Sequence, residues 1–346
     1  MKKQNEQMKQ LTISVAAYNV EAYLDHLMES IIDADVMDSL EVLIVNDGSS
    51  DHTAEIAMRY QEKYPQSVRL IDKPNGGHGS TINRGIEEAT GRYFRALDGD
   101  DWVHSEHLAA LVRKMDSIET DLILSDYGKY FEDGRETLVD QFSELEDGKT
   151  YQFDEIWRPG LRMNYHTIIF RTELLQQKQI RLDEHCFYVD AEYMLYPVLF
   201  VETIFYSKDH IYCYRMGIEG QSVSNTSRMK NITHSETVGK HLIDFYNANK
   251  GEMSKEKRQY CIDTITVNCK WHEQSLMLFK PSRAQRQKFI DFDRYILDHA
   301  PEVYEQMGEE SKVLKVIRKT GYHPYGAAAV YSTKRDERCL KKQKQA

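Results

Sequence analysis

Residues 11–97 alternate short apolar, β-branched runs with stretches of helical spacing, and this alternation constrains the fold more than any other feature of the chain. Leu11 to Ala17 (LTISVAA), Glu41 to Asn46 (EVLIVN), Val68 to Ile71 and Tyr93 to Leu97 read as buried strands, each a short run bounded by turn residues. Between them Ala22, Leu24, Leu27, Met28, Ile31 and Ile32 recur at helical spacing, and Thr53 to Tyr64 and Thr81 to Ala89 supply two further helices. Strands alternating with helices in this way predict an α/β fold, a mainly parallel sheet with helices on both faces. Ligands of such sheets sit beyond the carboxyl ends of the strands. Four polar segments fall there: Tyr18-Asn19, the turn Asp47 to Asp51, the glycine-rich loop Asn75 to Ser80, and Asp98-Gly99-Asp100-Asp101.

The last of these is the most unusual. Three carboxylates packed at a strand end repel one another unless a divalent cation or donating hydroxyls offset the charge. Asp and Gly are also common turn residues, so the segment alone reads equally well as a turn capping the next helix. Downstream, the pattern predicts a helix from Trp102 to Met115, a strand at Asp121 to Ser125, and a hairpin or acceptor-facing excursion over Tyr127 to Tyr151. Further strands are expected at Tyr165 to Phe170, Thr203 to Tyr206 and His210 to Arg215, with helices at Thr172 to Gln177 and Val189 to Val201. From Met229 onward the spacing is helical: Asn231 to Ala248, Ser254 to Phe279, Ser282 to His299 and Glu302 to Thr320, broken by Pro281 and Pro301. The chain therefore divides into residues 1–228 and a C-terminal helical appendage, 229–346, ending in a basic tail that reads as a solvated, mobile end or a membrane-surface contact.

A formal charge of −10 argues against a general nucleic-acid binder, although a metal and backbone amides can still hold phosphates locally. The five cysteines form no CxxC pair and fit reduced thiols. With a polar Met1 to Gln10 and no run of 18 apolar residues, neither a signal peptide nor a membrane span is expected. The expected location is cytoplasmic, with peripheral contact at the inner face of the membrane left open.

Four motifs, Ser14 to Glu21 (SVAAYNVE), Val45 to Asp51 (VNDGSSD), Asn75-Gly76-Gly77 through Asn83-Arg84-Gly85, and Leu97 to Asp101 (LDGDD), together resemble glycosyltransferase family 2. These are inverting nucleotide-sugar transferases of the A-type glycosyltransferase fold. The likeness covers about the first 105 residues, weakens to about residue 225, and does not reach the helical region. It implies that 1–228 is a nucleotide-sugar-binding catalytic domain. By the same resemblance Ala17, Tyr18 and Glu21 line the nucleotide pocket and Asp47 accepts from the base, while the backbone at Gly76 and Gly77 approaches the donor. His78 would face the diphosphate, Asn83 and Arg84 would touch the nucleotide, and Arg215 with the loop Gly217 to Ser224 would cover the diphosphate. Asp98-Gly99-Asp100 matches the family's DxD motif: Asp98 toward ribose or sugar hydroxyls, Asp100 on Mn²⁺ or Mg²⁺, and Asp101 in support.

An inverting transfer also needs a base for the acceptor hydroxyl. The family draws it from an acidic pair opening a helix, a place held here by Val189-Asp190-Ala191-Glu192. Asp190 aligns best and Glu192 is the alternative, since the family's adjacent pair is spaced differently in this chain. N-terminal acids that merely complement a helix dipole are the plainer reading of both. His166 is a further active-site candidate. The expected reaction is hexosyl transfer from a nucleotide-diphosphate sugar, UDP by family preference, to a hydroxyl of a saccharide, lipid-linked or glycoprotein acceptor. The helical region could bind that acceptor or form a homodimer. A sugar-phosphate nucleotidyltransferase would carry a basic glycine-rich loop near the N-terminus, which residues 11–22 lack, and a catalytically silent sugar-binding scaffold would not need Asp98, Asp100 and Asp190 intact.

Overall fold

The computed structural model describes residues 8–158, 161–217 and 222–343, with side chains described as far as Lys334. Two compact units result, one comprising residues 1–157 and 161–219, the other 158–160 and 220–346.

The first unit is built on strands β1 (Leu11–Ala17), β2 (Leu40–Asn46), β3 (Val68–Asp72), β4 (Tyr93–Asp98), β5 (Trp102–Val103) and β6 (Leu122–Phe131). Strands β7 (Glu136–Val139), β8 (Thr150–Gln152), β9 (Ile168–Arg171) and β10 (Thr203–Met216) complete one sheet. Its order is β3-β2-β1-β4-β9-β6-β10-β5, with β7 on β6 and β8 on β10. The β3-β2-β1-β4 half is parallel, whereas β9 runs antiparallel to both β4 and β6. The sheet is therefore mixed, and its parallel half is the part that the alternating sequence predicts. Apart from one half-buried residue, Ala16, every residue of β1 is buried, as a strand covered on both faces requires.

Helices α1 (Leu24–Ile32), α2 (Thr53–Lys63), α3 (His78–Glu88) and α4 (Ser105–Lys114) connect the early strands, followed by α5 (Phe153–Ile156), α6 (Thr172–Gln177) and α7 (Asp190–Leu195). In α1, Leu24, Leu27, Met28 and Ile31 form the buried stripe, at the i, i+3, i+4, i+7 positions of one helix face.

Several expected elements changed character. Trp102 and Val103 pair with β10 instead of opening a helix, so α4 begins only at Ser105. Tyr165–Thr167 is a short 3-10 turn before β9, and Pro197–Phe200 is another after α7. The two strands expected after residue 203 are one, because register shifts around His210 absorb the polar Lys208-Asp209 interruption as a bulge. The hairpin expected within residues 127–151 forms between β6 and β7.

The second unit contains α8 (Asn225–Lys230), α9 (Ile232–Asn249), α10 (Lys255–Leu276), α11 (Arg283–His299), α12 (Pro301–Glu310), α13 (Lys312–Lys319) and α14 (Tyr325–Gln343). Helix α8, which spans residues 228 and 229, packs on α10: the Arg228 Nε donates to Ser275 Oγ (3.0 Å) and its guanidinium lies 3.8 Å from the Trp271 ring centre. One long helix was expected over 302–320, but Ser311 ends α12 and caps α13, accepting from the Leu314 N–H. The basic tail forms the last turns of α14. Within the core of this unit the Arg318 guanidinium forks onto buried Asp293 (2.5 and 2.9 Å), which also accepts from the Tyr322 hydroxyl (2.6 Å). No helix of the described residues is long and apolar enough to cross a membrane.

Candidate active site

The acidic cluster forms where β4 ends beside β1. Gly99 is required there: its N–H donates to the Ala16 carbonyl (3.0 Å), and a Cβ would stand 2.8 Å from that oxygen. The chain then turns, with Asp101 N–H donating to Asp98 O (3.1 Å), so that Asp98, Asp100 and Asp101 each present an oxygen within 4.8 Å of the others.

Their environments differ. Asp98 accepts from the Tyr165 hydroxyl (3.2 Å) and lies 3.0 Å from His78 Nε2. Burial alone would raise its carboxyl, but His78 outweighs that and holds it below the ordinary range. Asp101 is 1 % exposed, and both its oxygens are occupied, by the Tyr212 hydroxyl (2.6 Å) and the Arg215 N–H (2.7 Å). Burial, then Asp98 and Asp100, push it well above the ordinary range. Asp101 thus ties β10 to the cluster from beneath, a supporting position. Asp100 accepts from no other side chain among the described residues, and burial followed by Asp98 raises it to about 6. An acidic group without a side-chain donor among the described residues, raised by burial and by Asp98, is what a hard divalent cation would relieve, and carboxylate oxygens of Asp100 and Asp98 suit Mn²⁺ or Mg²⁺.

Helix α7 packs beside Tyr165, the residue that bonds Asp98, through Tyr193, the two rings 5.8 Å apart. Asp190, its first residue, is raised by burial and by Asp98 and lowered by His78, so all three groups share one field. His78 opens α3; burial would lower its pKa, but Asp98, Asp190 and Asp100 together raise it. Glu192 is turned away. It is 0 % exposed, accepts from the Asp183 N–H (2.8 Å), and burial pushes it up to about 8.

Other residues expected at the donor site have different partners. Asp47 is buried, and its carboxylate accepts from Lys73 Nζ (2.5 Å), Asn75 Nδ2 (3.0 Å) and the N–H groups of Gly76 (2.9 Å) and Gly77 (2.8 Å). Those amides are thereby directed inward, so the glycine loop is a docking surface for backbone: Gly76 O accepts from His185 N–H (2.5 Å), and a Cβ on Gly79 would sit 2.0 Å from Asp183 O. Asn83 pins the same segment, exchanging two hydrogen bonds with the Leu182 backbone (2.9 and 2.8 Å). Arg84 is not brought to the cluster, since it pairs with Glu88 (2.5 Å) one turn further along α3. Glu21 binds His52, Nδ1 at 2.7 Å and N–H at 2.8 Å, and so latches the loop after β1 to the loop after β2. Ala17 is buried, its carbonyl accepting from Asp47 N–H (2.8 Å), whereas Tyr18 is 53 % exposed at the end of β1. The Arg215 Nε donates to Asp100 O (2.8 Å) and its guanidinium lies over the rings of Trp102 (4.6 Å) and Tyr23 (5.0 Å). Of the loop Gly217 to Ser224, residues 218–221 lie outside the described residues.

Tyr165 and Tyr212 carried no signal in one dimension, and Arg95 carried a slight one. Arg95 is 0 % exposed in the middle of β4; it donates to His166 O (2.5 Å), and its guanidinium lies 5.2 Å from the Tyr212 ring centre. Tyr212, whose ring faces this buried cation, in turn donates its hydroxyl to Asp101 (2.6 Å). The hint was an arginine inside an otherwise apolar strand.

Residues 12–177 match the family model described as Glycosyl transferase family 2. The chain is 27 % identical over 211 residues to a protein named putative glycosyltransferase EpsH of Bacillus subtilis, covering 60 % of each. It is 30 % identical over 244 residues to the minor teichoic acid biosynthesis protein GgaB of the same organism, covering 67 % of this chain and 26 % of that one. The chain thus spans 60 % and 26 % of the lengths of these relatives. Among solved structures, S. aureus TarS 1–349 in complex with UDP-GlcNAc superposes with a TM-score of 0.65 at 18 % identity, over 96 % of this chain and 92 % of that one, a likeness of fold. Residues 12–177 of the chain thus belong to glycosyltransferase family 2.

Proposed function

We propose that the protein is a metal-dependent inverting glycosyltransferase that moves a sugar from a UDP-sugar to a hydroxyl of a glycan acceptor. The observation that carries this reading is the cluster of Asp98 and Asp100, whose oxygens lie within 4.8 Å of one another and suit a cation, together with Asp190 at the start of α7, a carboxyl raised above the ordinary range by burial. Asp100 and Asp98 would hold the divalent cation, which would supply positive charge against that growing on the departing diphosphate. His78 and Tyr165 keep Asp98 ionised and oriented. Tyr18, exposed at the end of β1, stacks on the base. Asp190, raised above an ordinary aspartate, takes the proton of the acceptor hydroxyl as its oxygen attacks the anomeric carbon opposite the leaving diphosphate, inverting that centre. Glu192 is fully buried and accepts from the Asp183 N–H, which favours Asp190 over it as the base.

The reading draws on relatives named for glycosyl transfer and teichoic acid synthesis, and on a structural neighbour whose complex contains UDP-GlcNAc. The test is a screen of UDP- and GDP-sugars with Mn²⁺, with and without EDTA, reading released nucleoside diphosphate for the native chain and Asp100→Asn. Chelator-sensitive release from one donor, lost in the variant, is expected. Release unaffected by EDTA and by Asp100→Asn would remove the metal from the mechanism.

A further inference from the structure

Residues 312–344 carry ten Lys or Arg against two acids, Asp336 and Glu337, in a chain whose formal charge is −10. Positive charge is thus gathered in one stretch of an acidic protein, an asymmetry that points to an anionic partner. That stretch is α13 and α14, which lie against each other.

Contacts settle which face of α14 is turned inward. Tyr325, Ala329 and Ser332 are buried; the Tyr325 hydroxyl donates to Leu276 O (3.2 Å) and the Thr333 hydroxyl to Met277 O (3.3 Å), at the end of α10. The opposite face carries Ala327, Val330, Tyr331 and Lys334, spaced i, i+3, i+4, i+7 and all exposed. Val330 is 47 % and Tyr331 59 % exposed. In the sequence the same spacing continues with Arg338, Lys341 and Lys342. Helix α13 repeats the pattern: Lys312, Lys315, Val316 and Lys319 are exposed at i, i+3, i+4 and i+7, whereas Leu314 and Ile317 are buried. Arg318, the remaining cation of α13, is held by Asp293 and stands outside the pattern.

Each outer face therefore sets large apolar side chains among cations. A face that met only water would keep such positions polar. A nucleic-acid backbone would pair with the lysines and leave Val330 and Tyr331 in water. A second copy of the same face, related by a two-fold axis, would set cation against cation. An anionic bilayer suits both kinds of side chain, since its headgroup phosphates take the cations and the layer beneath them takes the apolar groups. No described helix is long and apolar enough to cross a bilayer, so such a contact lies on the surface. We propose that the outer face of α14 docks on an anionic phospholipid membrane, Val330 and Tyr331 entering the headgroup boundary while Lys334 and the cations that continue its spacing pair with the phosphates. The lysines of α13, on the neighbouring helix, add attraction over the screening length, about 10 Å at 0.1 M salt. This docking is independent of the donor chemistry.

The test is co-sedimentation of the full chain with vesicles of phosphatidylcholine alone or mixed with an equal amount of phosphatidylglycerol, at about 0.1 M and about 1 M salt. Binding is expected to the mixed vesicles only, and is lost at the higher salt. Lys334→Ala should weaken it about fivefold, the scale of one basic residue at an anionic surface. Val330→Ser combined with Tyr331→Ser should weaken it about tenfold, through lost apolar insertion. Lys63→Ala, at an exposed lysine ending α2, should leave it unchanged, and every variant should keep the native melting temperature. Failure to bind the mixed vesicles overturns the proposal, as does equal binding to both vesicles, native binding in the Val330 and Tyr331 double variant, or a loss in Lys63→Ala equal to that in Lys334→Ala. A free protein that sediments as a dimer until Tyr331→Ser dissociates it would assign the face to a second copy, and binding to single-stranded DNA that mixed vesicles do not displace would assign it to nucleic acid; either result overturns the proposal.

Discussion

Asp190 and Glu192 stand two residues apart on α7 and point to opposite sides: Asp190 shares a field with His78 and Asp98, whereas Glu192 is fully buried and accepts from the Asp183 N–H. Two residues of helix turn a side chain by about 200°, so one carboxylate had to face the cleft and the other the core. Asp190→Asn should therefore lower sugar transfer by about 10²–10⁴-fold, the usual range for a lost general base. Glu192→Gln keeps an acceptor oxygen for Asp183 and should leave the rate within about threefold. Initial rates of the two variants against one donor decide between them; a larger loss in Glu192→Gln than in Asp190→Asn would reverse the assignment.

Glu192 also predicts a pH dependence of stability. Burial raises its carboxyl from an ordinary 4.5 to about 8 in the folded state. A group raised on folding contributes stability that is fully present below the unfolded pKa and is lost as pH rises through the folded one. The melting temperature should accordingly fall between pH 5 and pH 8.5, on the order of the window set by these two values, and Glu192→Gln should flatten that fall. Thermal unfolding by circular dichroism across the range reads it directly.

Gly79 tests the contact between the glycine loop and the segment leading to α7. Alanine within a helix is normally favourable by about 1 kcal/mol over glycine, but here the new Cβ would meet Asp183 O at 2.0 Å. Gly79→Ala should destabilise the protein by about 1–3 kcal/mol through this overpacking and slow transfer by displacing Asp190. UDP binding measured by calorimetry should survive, because the acidic cluster itself is untouched.

In the helical unit, Arg318→Ala would leave buried Asp293 without its cation beside Glu273, which burial and Asp293 already hold well above the ordinary carboxylate range. A cost of about 3–5 kcal/mol is expected, while Arg318→Met, which fills the space, should cost less than Ala. Denaturant unfolding of the two variants compares them.

The sequence determined a great deal by local rules. Continuous apolar runs could only be strands covered on both faces, and their alternation with helical spacing led to the parallel β3-β2-β1-β4 half and placed LDGDD at its carboxyl edge. Helical period and serine caps likewise made the C-terminal helices readable, apart from the break at Ser311, where a polar residue within a continuous pattern gave too weak a stop.

What only the tertiary structure decided were partners distant along the chain. The amides of Gly76 and Gly77 find Asp47, and Arg84 finds Glu88, pairings that no local pattern announces. Arg95 finds the ring of Tyr212, 117 positions later, and the hydroxyl of that tyrosine joins Asp101. A one-dimensional pattern reports which residues are buried or exposed, since period follows from backbone geometry. Which carboxylate finds a donor and which is left for a cation depends on side chains that meet only when the sheet closes, and that physical fact separated Asp100 from Asp101 and Asp190 from Glu192.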